Sequence, residues 1–345
     1  MKQIDTHTLH MRRCLDLARL GIQGAAPNPM VGSVLVCDEE IIGEGYHQKC
    51  GQAHAEINAI NSVKDKSLLS KATLYVNLEP CAHYGKTPPC ALAIIENKIP
   101  RVVIGCIDSF AKVSGKGIQL LKDAGVEVTV GVLENECLKL NKRFFTFHSK
   151  KRPYIFLKWA ESADGLIDTE EDAPRWLTNE ESRSIVHKMR AEESAIMLGT
   201  NSTIKDNPSL TTRSWQGKNP VRITLDRNLR IPKTHHLFDG KVRTIIFTEK
   251  EIKSTPNIEF VTINFDENVI EKILLHLYKE NITSLVVEGG EILLNSFIKN
   301  DLWDEAWQFI GPAKLNTGTK APKLHAPIQQ TTKIGQVMLN IYKRI

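Results

Sequence analysis

The chain has 345 residues, 41% hydrophobic and 25% charged, which excludes disordered and fibrous classes and is too long for one ordinary core, so two domains are expected. A net charge of +5 from 45 basic and 40 acidic residues scattered along the chain fits a phosphorylated small molecule as well as nucleic acid. Apolar runs of membrane-span length (about 18 residues) and a signal-peptide stretch at the start are both missing, and the seven cysteines are an odd count; a cytoplasmic chain without membrane contact, with reduced thiols or metal ligands in place of disulfides, is expected.

Residues 9–20 have helical spacing, with Met11, Leu15 and Ala18 on one side. Residues 30–37 and 39–46 read as a strand pair around Asp38-Glu39, and 53–63 as a helix. A strand follows at 73–78, a helix at 90–97 entered through Pro88-Pro89, a strand at 101–107, a helix at 117–124 and a short strand at 126–131. After Leu138 the pattern changes: Phe144, Phe145 and Phe147 precede the polar stretch His148-Ser149-Lys150-Lys151-Arg152-Pro153. This places a domain boundary near residue 150, with domains over 1–148 and 149–345. A second series starts at 154–159, with helices at 182–191, 269–280 and 293–299 and strands at 195–198, 221–225, 244–248, 284–287 and 305–310. Helices alternating with apolar strands predict an α/β fold in both halves.

Three pieces of the first half carry chemistry: His54-Ala55-Glu56, Glu79-Pro80-Cys81 and Pro88-Pro89-Cys90. One imidazole and two thiolates are a natural set of three protein ligands for Zn²⁺, leaving a fourth position for water whose pKa the metal lowers. The pattern H-x-E followed by P-C and a second cysteine is that of zinc deaminases, in which the glutamate carries the proton. Residues two apart on a regular helix diverge, so His54 and Glu56 can converge only at a helix entrance. Cys90 opens a helix too, where the N-terminus favours thiolate. Taken singly, His54 reads as an ordinary histidine, and Cys81 and Cys90 as buried thiols like Cys14, Cys37, Cys106 and Cys137. Taken jointly they read as a catalytic centre. Cys50 is an alternative fourth ligand, disfavoured because a closed zinc has no place for water.

Two residues separate the cysteines in a plain member of that superfamily; here Ala82 to Pro89 intervene. The segment from Ala82 to Thr87 is therefore read as an inserted loop over the site, with His83 and Lys86 as phosphate contacts. The stretch Pro80-Cys81-Ala82-His83-Tyr84-Gly85-Lys86-Thr87-Pro88-Pro89-Cys90, with Pro27-Asn28-Pro29-Met30-Val31-Gly32 and Gly45-Tyr46-His47, resembles the signature of the bifunctional diaminohydroxyphosphoribosylaminopyrimidine deaminase/reductase family. The resemblance implies that His54, Cys81 and Cys90 bind one zinc ion per chain, that Glu56 is catalytic, and that Asn28, His47, His83 and Lys86 contact substrate. Asp108-Ser109-Phe110 stands where many members have Asp-Pro-Asn-Pro, which leaves the shape of the sugar-phosphate pocket open.

In the second half, Leu285-Val286-Val287-Glu288-Gly289-Gly290-Glu291 is an apolar strand running into a glycine turn and a helix. Backbone amides there suit cofactor phosphates, although no G-x-G-x-x-G fingerprint is present. Ser162-Ala163-Asp164-Gly165, Arg175-Trp176-Leu177-Thr178 and the segment from Asp206 to Arg213 precede it in order, and the set resembles the reductase half of the same family. The resemblance covers nearly the whole chain. It implies a cytidine-deaminase-like αβα domain followed by a dihydrofolate-reductase-like α/β domain that uses NADPH. By the same resemblance Ala160, Trp176, Ser202 and Asp206 lie along the cofactor, as do Gly290, Glu291, Ile292, Leu293, Leu294, Asn295 and Ser296. Arg190, Leu210, Arg213 and Glu288 face substrate, the arginines suiting its phosphate. Arg227 is a candidate for a cofactor 2′-phosphate. Pro174 occupies a position where many relatives have serine, with Arg175 as a replacement contact.

The activity so implied is two steps of riboflavin biosynthesis: hydrolytic deamination of 2,5-diamino-6-(5-phosphoribosylamino)pyrimidin-4(3H)-one, then reduction of the ribosyl side chain to ribityl. A small phosphorylated pyrimidine is the expected partner, with no nucleic acid. Two alternatives stand beside this: a nucleic-acid or nucleoside zinc deaminase with an appended nucleotide-binding domain, and a zinc-stabilised scaffold with one inactive half. The sequence leaves open NADPH against NADH and whether the chain forms a homo-oligomer.

Overall fold

The computed structural model describes residues 5–84, 88–108, 115–169 and 177–344. Lys86, Ser109, Phe110, Pro174, Arg175 and Trp176 lie outside the described residues. Two compact units meet in sequence between Lys151 and Arg152. Among the described residues, no helix is long and apolar enough to cross a membrane.

The first unit runs α1 (Thr6–Arg19), β1 (Gly32–Cys37), β2 (Glu40–Tyr46), α2 (Ala55–Ser62), β3 (Thr73–Leu78), α3 (Cys90–Glu96), β4 (Arg101–Cys106), α4 (Lys116–Asp123), β5 (Glu127–Val130), α5 (Glu134–Leu140) and α6 (Lys142–Lys150). Its sheet has the order β2-β1-β3-β4-β5. β1 is antiparallel to both neighbours, and β3, β4 and β5 are parallel. Asp38 and Glu39, both at positive φ, close the β1–β2 hairpin. Successive strand side chains point to opposite faces. Leu35, Leu74, Val76, Val102 and Ile104 accordingly pack on α2, α3 and α4 through Ala59, Ile60, Ile94 and Leu121. Val34, Val36, Tyr75 and Val103 pack on Met11, Cys14, Leu15 and Cys137 of α1 and α5. The result is the expected αβα sandwich. Met11, Leu15 and Leu17 are almost wholly buried, worth about 1.5–3 kcal/mol each against about 1 kcal/mol for a cap such as Asp5. The apolar stripe, more than the cap, holds α1 in place.

The second unit runs β6 (Tyr154–Glu161), β7 (Leu166–Asp168), α7 (Glu180–Glu192), β8 (Ala195–Leu198), α8 (Thr200–Asp206), β9 (Val221–Leu225), β10 (Thr244–Thr248), β11 (Ile258–Thr262), α9 (Val269–Lys279), β12 (Ser284–Glu288), α10 (Glu291–Lys299), β13 (Glu305–Ile310), β14 (Thr319–Lys320), β15 (Ile328–Ile334) and β16 (Val337–Lys343). One large sheet has the order β11-β10-β9-β8-β12-β6-β13-β16-β15. All its pairings are parallel except those of the C-terminal hairpin β15–β16 and of β16 with β13. One face packs Leu157, Met197, Ile245 and Val287 on α9 and α10. The other packs Phe156, Ile196 and Val286 on Met189 of α7. The chain leaves β8 outward through β9, β10 and β11, then returns to insert β12 between β8 and β6. Ligands in open α/β sheets bind outside the carboxyl ends of strands at such a reversal.

The structure adds elements to the sequence expectation. α5 and α6 fill the region after Leu138, and His148, Ser149 and Lys150 form the last turn of α6. Arg152 is no linker residue: it is buried, and its guanidinium grips Asp304 at 2.5 and 2.9 Å. α8, β11 and the β15–β16 hairpin are further additions.

Candidate active sites

In the first unit, α2 begins one residue after His54, which is its N-cap in extended conformation. Glu56 therefore sits in the first turn, and the change of backbone direction brings His54 and Glu56 to the same side. A Cβ on Gly45 would lie 2.6 Å from the Ala59 amide nitrogen, so glycine lets α2 press directly on β2. Cys81 follows the carboxyl end of β3, and Cys90 opens α3 behind its N-cap Pro89. The Cys90 amide donates to the Cys81 sulfur at 3.3 Å, and the Ala91 amide to the Cys81 carbonyl at 3.2 Å. These bonds draw the two cysteines together across the intervening loop.

His54 Nδ1 lies 3.6 Å from Cys81 Sγ and 3.3 Å from Cys90 Sγ. All three ligand atoms lie within 4.8 Å of one another. Tetrahedral zinc, with bonds of about 2.0–2.3 Å, places nitrogen and sulfur ligands roughly 3.5 Å apart, so the donor set fits that ion in both chemistry and spacing. Among the described residues this is the one such His/Cys/Asp/Glu group, and Cys50 is not part of it. Hydrogen bonding with Cys90 and His54 holds the Cys81 thiol down at about 4, whereas the Cys81 sulfur and burial push Cys90 up. A dication held by these groups would favour the thiolate of both. Burial pushes the Glu56 carboxyl, 3% exposed, up to about 7; Cys81 adds to the rise and His54 opposes it.

His47 lies edge-on to His54, with ring centroids 5.2 Å apart. Its Nδ1 is 3.1 Å from the Ala53 carbonyl, which only accepts, so Nδ1 carries the hydrogen. Nε2 is then the acceptor for the Asn28 amide at 3.1 Å. The imidazole is buried, which lowers its pKa and favours this neutral form. Asn28 and His47 thus meet next to the ring of His54, whereas His83 stands exposed on the loop after Cys81.

In the second unit, Ser202 lies on α8 after β8, Gly290 follows β12, and Ala160 lies near the carboxyl end of β6, which neighbours β12. Gly289 has φ 119°, and a Cβ there would lie 2.8 Å from Leu198 Cδ1; this turn needs glycine. The Gly290 amide donates to Ser202 Oγ at 3.1 Å, and Gly290 is the N-cap of α10. Glu291 and Ile292 open that helix, Ile292 being 74% exposed. Leu293 and Leu294 point into the core, so only their backbone is available to a ligand. Asn295 Nδ2 donates to Glu291, and Ser296 Oγ to the Ile292 carbonyl. Asp206, exposed, ends α8. Arg227 is paired with Glu249 at 2.8 Å on the surface.

Arg190, on α7, holds Glu288 at 3.0 Å and reaches the Thr211 carbonyl at 3.5 Å. Its buried Nε has no partner among the described residues. Leu210 is buried at positive φ, and Arg213 is exposed. The arginine, leucine and glutamate expected at the substrate therefore share one end of the sheet. Burial alone would raise the Glu288 carboxyl, but Arg190 and Lys158 more than offset it and hold it below the ordinary range.

Comparison with known proteins decides the family. Residues 4–106 match the cytidine and deoxycytidylate deaminase zinc-binding region, and residues 153–335 match the RibD C-terminal domain. The riboflavin biosynthesis protein RibD of Aquifex aeolicus is 40% identical over 326 residues, covering 92% of this chain and 90% of the relative. That of Escherichia coli is 33% identical, covering 90% and 89%. The crystal structure of a Thermotoga maritima diaminohydroxyphosphoribosylaminopyrimidine deaminase/5-amino-6-(5-phosphoribosylamino)uracil reductase superposes with TM-score 0.90 at 36% identity, over 99% of both chains. The chain belongs to the RibD family.

As a RibD-family protein it is a bifunctional enzyme of riboflavin biosynthesis, with a zinc-binding deaminase half and a reductase half. The second unit is the family's dihydrofolate-reductase-like α/β domain. The nucleic-acid deaminase and inactive-scaffold alternatives fall away.

Three residues, Lys158, His187 and Asn77, escaped the sequence reading, which named Glu79 without giving it a role. Lys158 is the register partner of Glu288 on the neighbouring strand, 4.0 Å from its carboxylate, and burial lowers its pKa. Its signal was a charge set in the apolar run from Tyr154 to Trp159. His187, buried, accepts from the Arg213 amide at 3.2 Å through Nδ1. Glu79, buried one residue before Pro80, accepts from the amides of Asp108, Gly115, Gly117 and Ile118 at 2.9–3.3 Å. It ties the turn bearing Cys81 to the segments flanking residues 109–114. Asn77, fully buried, bonds the Met30 carbonyl and the Gly32 amide.

Proposed function

We propose that the first unit deaminates 2,5-diamino-6-(5-phosphoribosylamino)pyrimidin-4(3H)-one. The second unit then reduces the ribosyl side chain of the aminouracil product to ribityl with NADPH. The observation that carries this reading is the convergence of one imidazole nitrogen, two sulfurs and a buried carboxylate, on a chain that continues into a reductase-family unit.

Zinc, when bound by His54, Cys81 and Cys90, supplies Lewis acidity and an activated water. The Glu56 carboxylate would hold the proton that the attacking water gives up and pass it to the departing amine. Asn28 and His47, fixed against each other, orient the pyrimidine. His83, exposed after Cys81, and Lys86 are the phosphate contacts.

In the second unit the amides at the start of α10, from Gly290 to Ile292, suit the cofactor's phosphates. The backbone from Leu293 through Asn295 and Ser296 continues that wall. Ala160, Trp176, Ser202 and Asp206 line the rest of the cofactor. Arg227 can meet a 2′-phosphate only by exchanging Glu249 for it. NADPH supplies the reducing equivalents at C1′. Arg190, whose buried Nε has no partner among the described residues, and Arg213 offer the charge a substrate phosphate needs. Leu210 packs beside them, and Glu288 orients the substrate.

The test is incubation of the purified chain with the diamino substrate, followed by product mass. Deamination is expected to add about 1 Da without NADPH, and reduction a further about 2 Da with it. No mass change in either arm, or turnover of a single-stranded oligonucleotide in its place, would overturn the reading.

A further inference from the structure

Met30 stands where the segment carrying Asn28 turns into β1, and neither neighbouring strand pairs with it. The ladder to β2 starts at Gly32 and that to β3 at Ser33. Its backbone is satisfied by side chains instead. The Met30 amide donates to Asn141 Oδ1 at 2.8 Å, and its carbonyl accepts from Asn141 Nδ2 at 2.9 Å and Asn77 Nδ2 at 3.1 Å. Asn77 Oδ1 in turn accepts from the Gly32 amide at 2.8 Å. Asn77 is 0% and Asn141 2% exposed, so no water competes for these groups. A carboxamide presents a donor and an acceptor side by side. Asn141, at the α5–α6 junction, therefore pairs with Met30 as a neighbouring strand would.

Two residues before Met30, Asn28 reaches His47, which lies edge-on to His54. A simple filling role would suit leucine better, because a buried amide is costly unless bonded. We propose that Asn141, with Asn77, is a positioning residue for deamination: by clasping Met30 it holds Asn28 against His47 in the geometry that receives the pyrimidine. This rests on the reading of Asn28 as a substrate contact. Asn141 itself touches no reacting atom.

The test is a double-mutant cycle on the full chain with Asn141→Leu, Asn28→Ala and both together. It reads deaminase KM and kcat, zinc content, and reduction of preformed aminouracil substrate as an internal control. Asn141→Leu is expected to raise KM about 5- to 10-fold, the scale of one or two lost hydrogen bonds, with kcat within about twofold and zinc and reductase activity unchanged. In the Asn28→Ala background the same substitution should add little, because coupled residues are not additive. A full additional increase there, or an effect on kcat or zinc without one on KM, overturns the proposal. If Asn28→Ala leaves KM unchanged, the assignment of Asn28 itself fails. If Asn28→Ala raises KM and Asn141→Leu does not, only the positioning role fails. Should Asn141→Leu not accumulate as folded protein, Asn141→Asp, which retains an acceptor for the Met30 amide but loses the donor, enters the same cycle.

Discussion

Replacing Glu56 with glutamine is expected to lower deaminase kcat by about 10²–10⁴-fold, the usual contribution of a positioned proton carrier. The carboxyl is buried and pushed up to about 7 by that burial, while a cation on the adjacent ligands pulls the other way. Poised between the two, the group can both accept and release a proton near neutral pH. Glutamine has the same shape and leaves the first turn of α2 intact, but it carries no exchangeable acid. Zinc content should stay at its wild-type value, because the three ligand atoms belong to other residues. NADPH oxidation with preformed aminouracil substrate should also be unchanged, because that chemistry belongs to the second unit. A kcat within threefold of wild type, about 0.6 kcal/mol in barrier, would remove Glu56 from the catalytic role.

Glu288→Gln is the second large effect. Glu288, itself buried, compensates two largely shielded cations, Arg190 at 3.0 Å and Lys158 at 4.0 Å. Removing one member of a buried ionic cluster costs about 3–5 kcal/mol because the remaining charge is uncompensated. Lys158, already biased towards its neutral form by burial, can shed its proton, so the lower end, about 3 kcal/mol, is expected. Thermal unfolding of the second unit should fall accordingly and reductase activity should be lost, while deamination continues. Adding Lys158→Met to Glu288→Gln should restore part of the stability, because one excess cation goes with it. The pH dependence has a definite sign. The folded pKa of Glu288 is depressed, so its contribution is present above the ordinary glutamate value of about 4.3 and is lost as pH falls through the lower folded value. An unchanged melting profile for Glu288→Gln would show that the cluster does not stabilise the unit.

Where local pattern decides structure, the sequence was legible. The strands at 73–78, 195–198, 221–225, 244–248 and 305–310 lie where expected, because each is a short apolar run bounded by turn residues. The zinc group was legible because its chemistry demands particular residue types, and because His54 and Glu56 could converge only at a helix entrance. α8 was missed because its sequence is polar, with Thr203 alone buried. β15 was missed because this edge strand is exposed and polar along most of its length. α5 and α6 bury only Cys137, Phe144 and Phe147, too few to set a helical period. The clasp of Met30 by Asn141 spans 111 residues, and no local pattern announces such a contact. Lys158 reads as a misplaced charge until β12 sets Glu288 beside it.

The most direct test of the zinc centre is elemental analysis of the purified chain, with deaminase rates measured before chelation, after it, and after zinc is restored. About one zinc per chain is expected, with deamination lost on chelation and recovered on re-addition, and with the metal absent from a His54→Ala variant. A chain that is metal-free as purified and yet deaminates at the full rate would contradict the assignment of His54, Cys81 and Cys90.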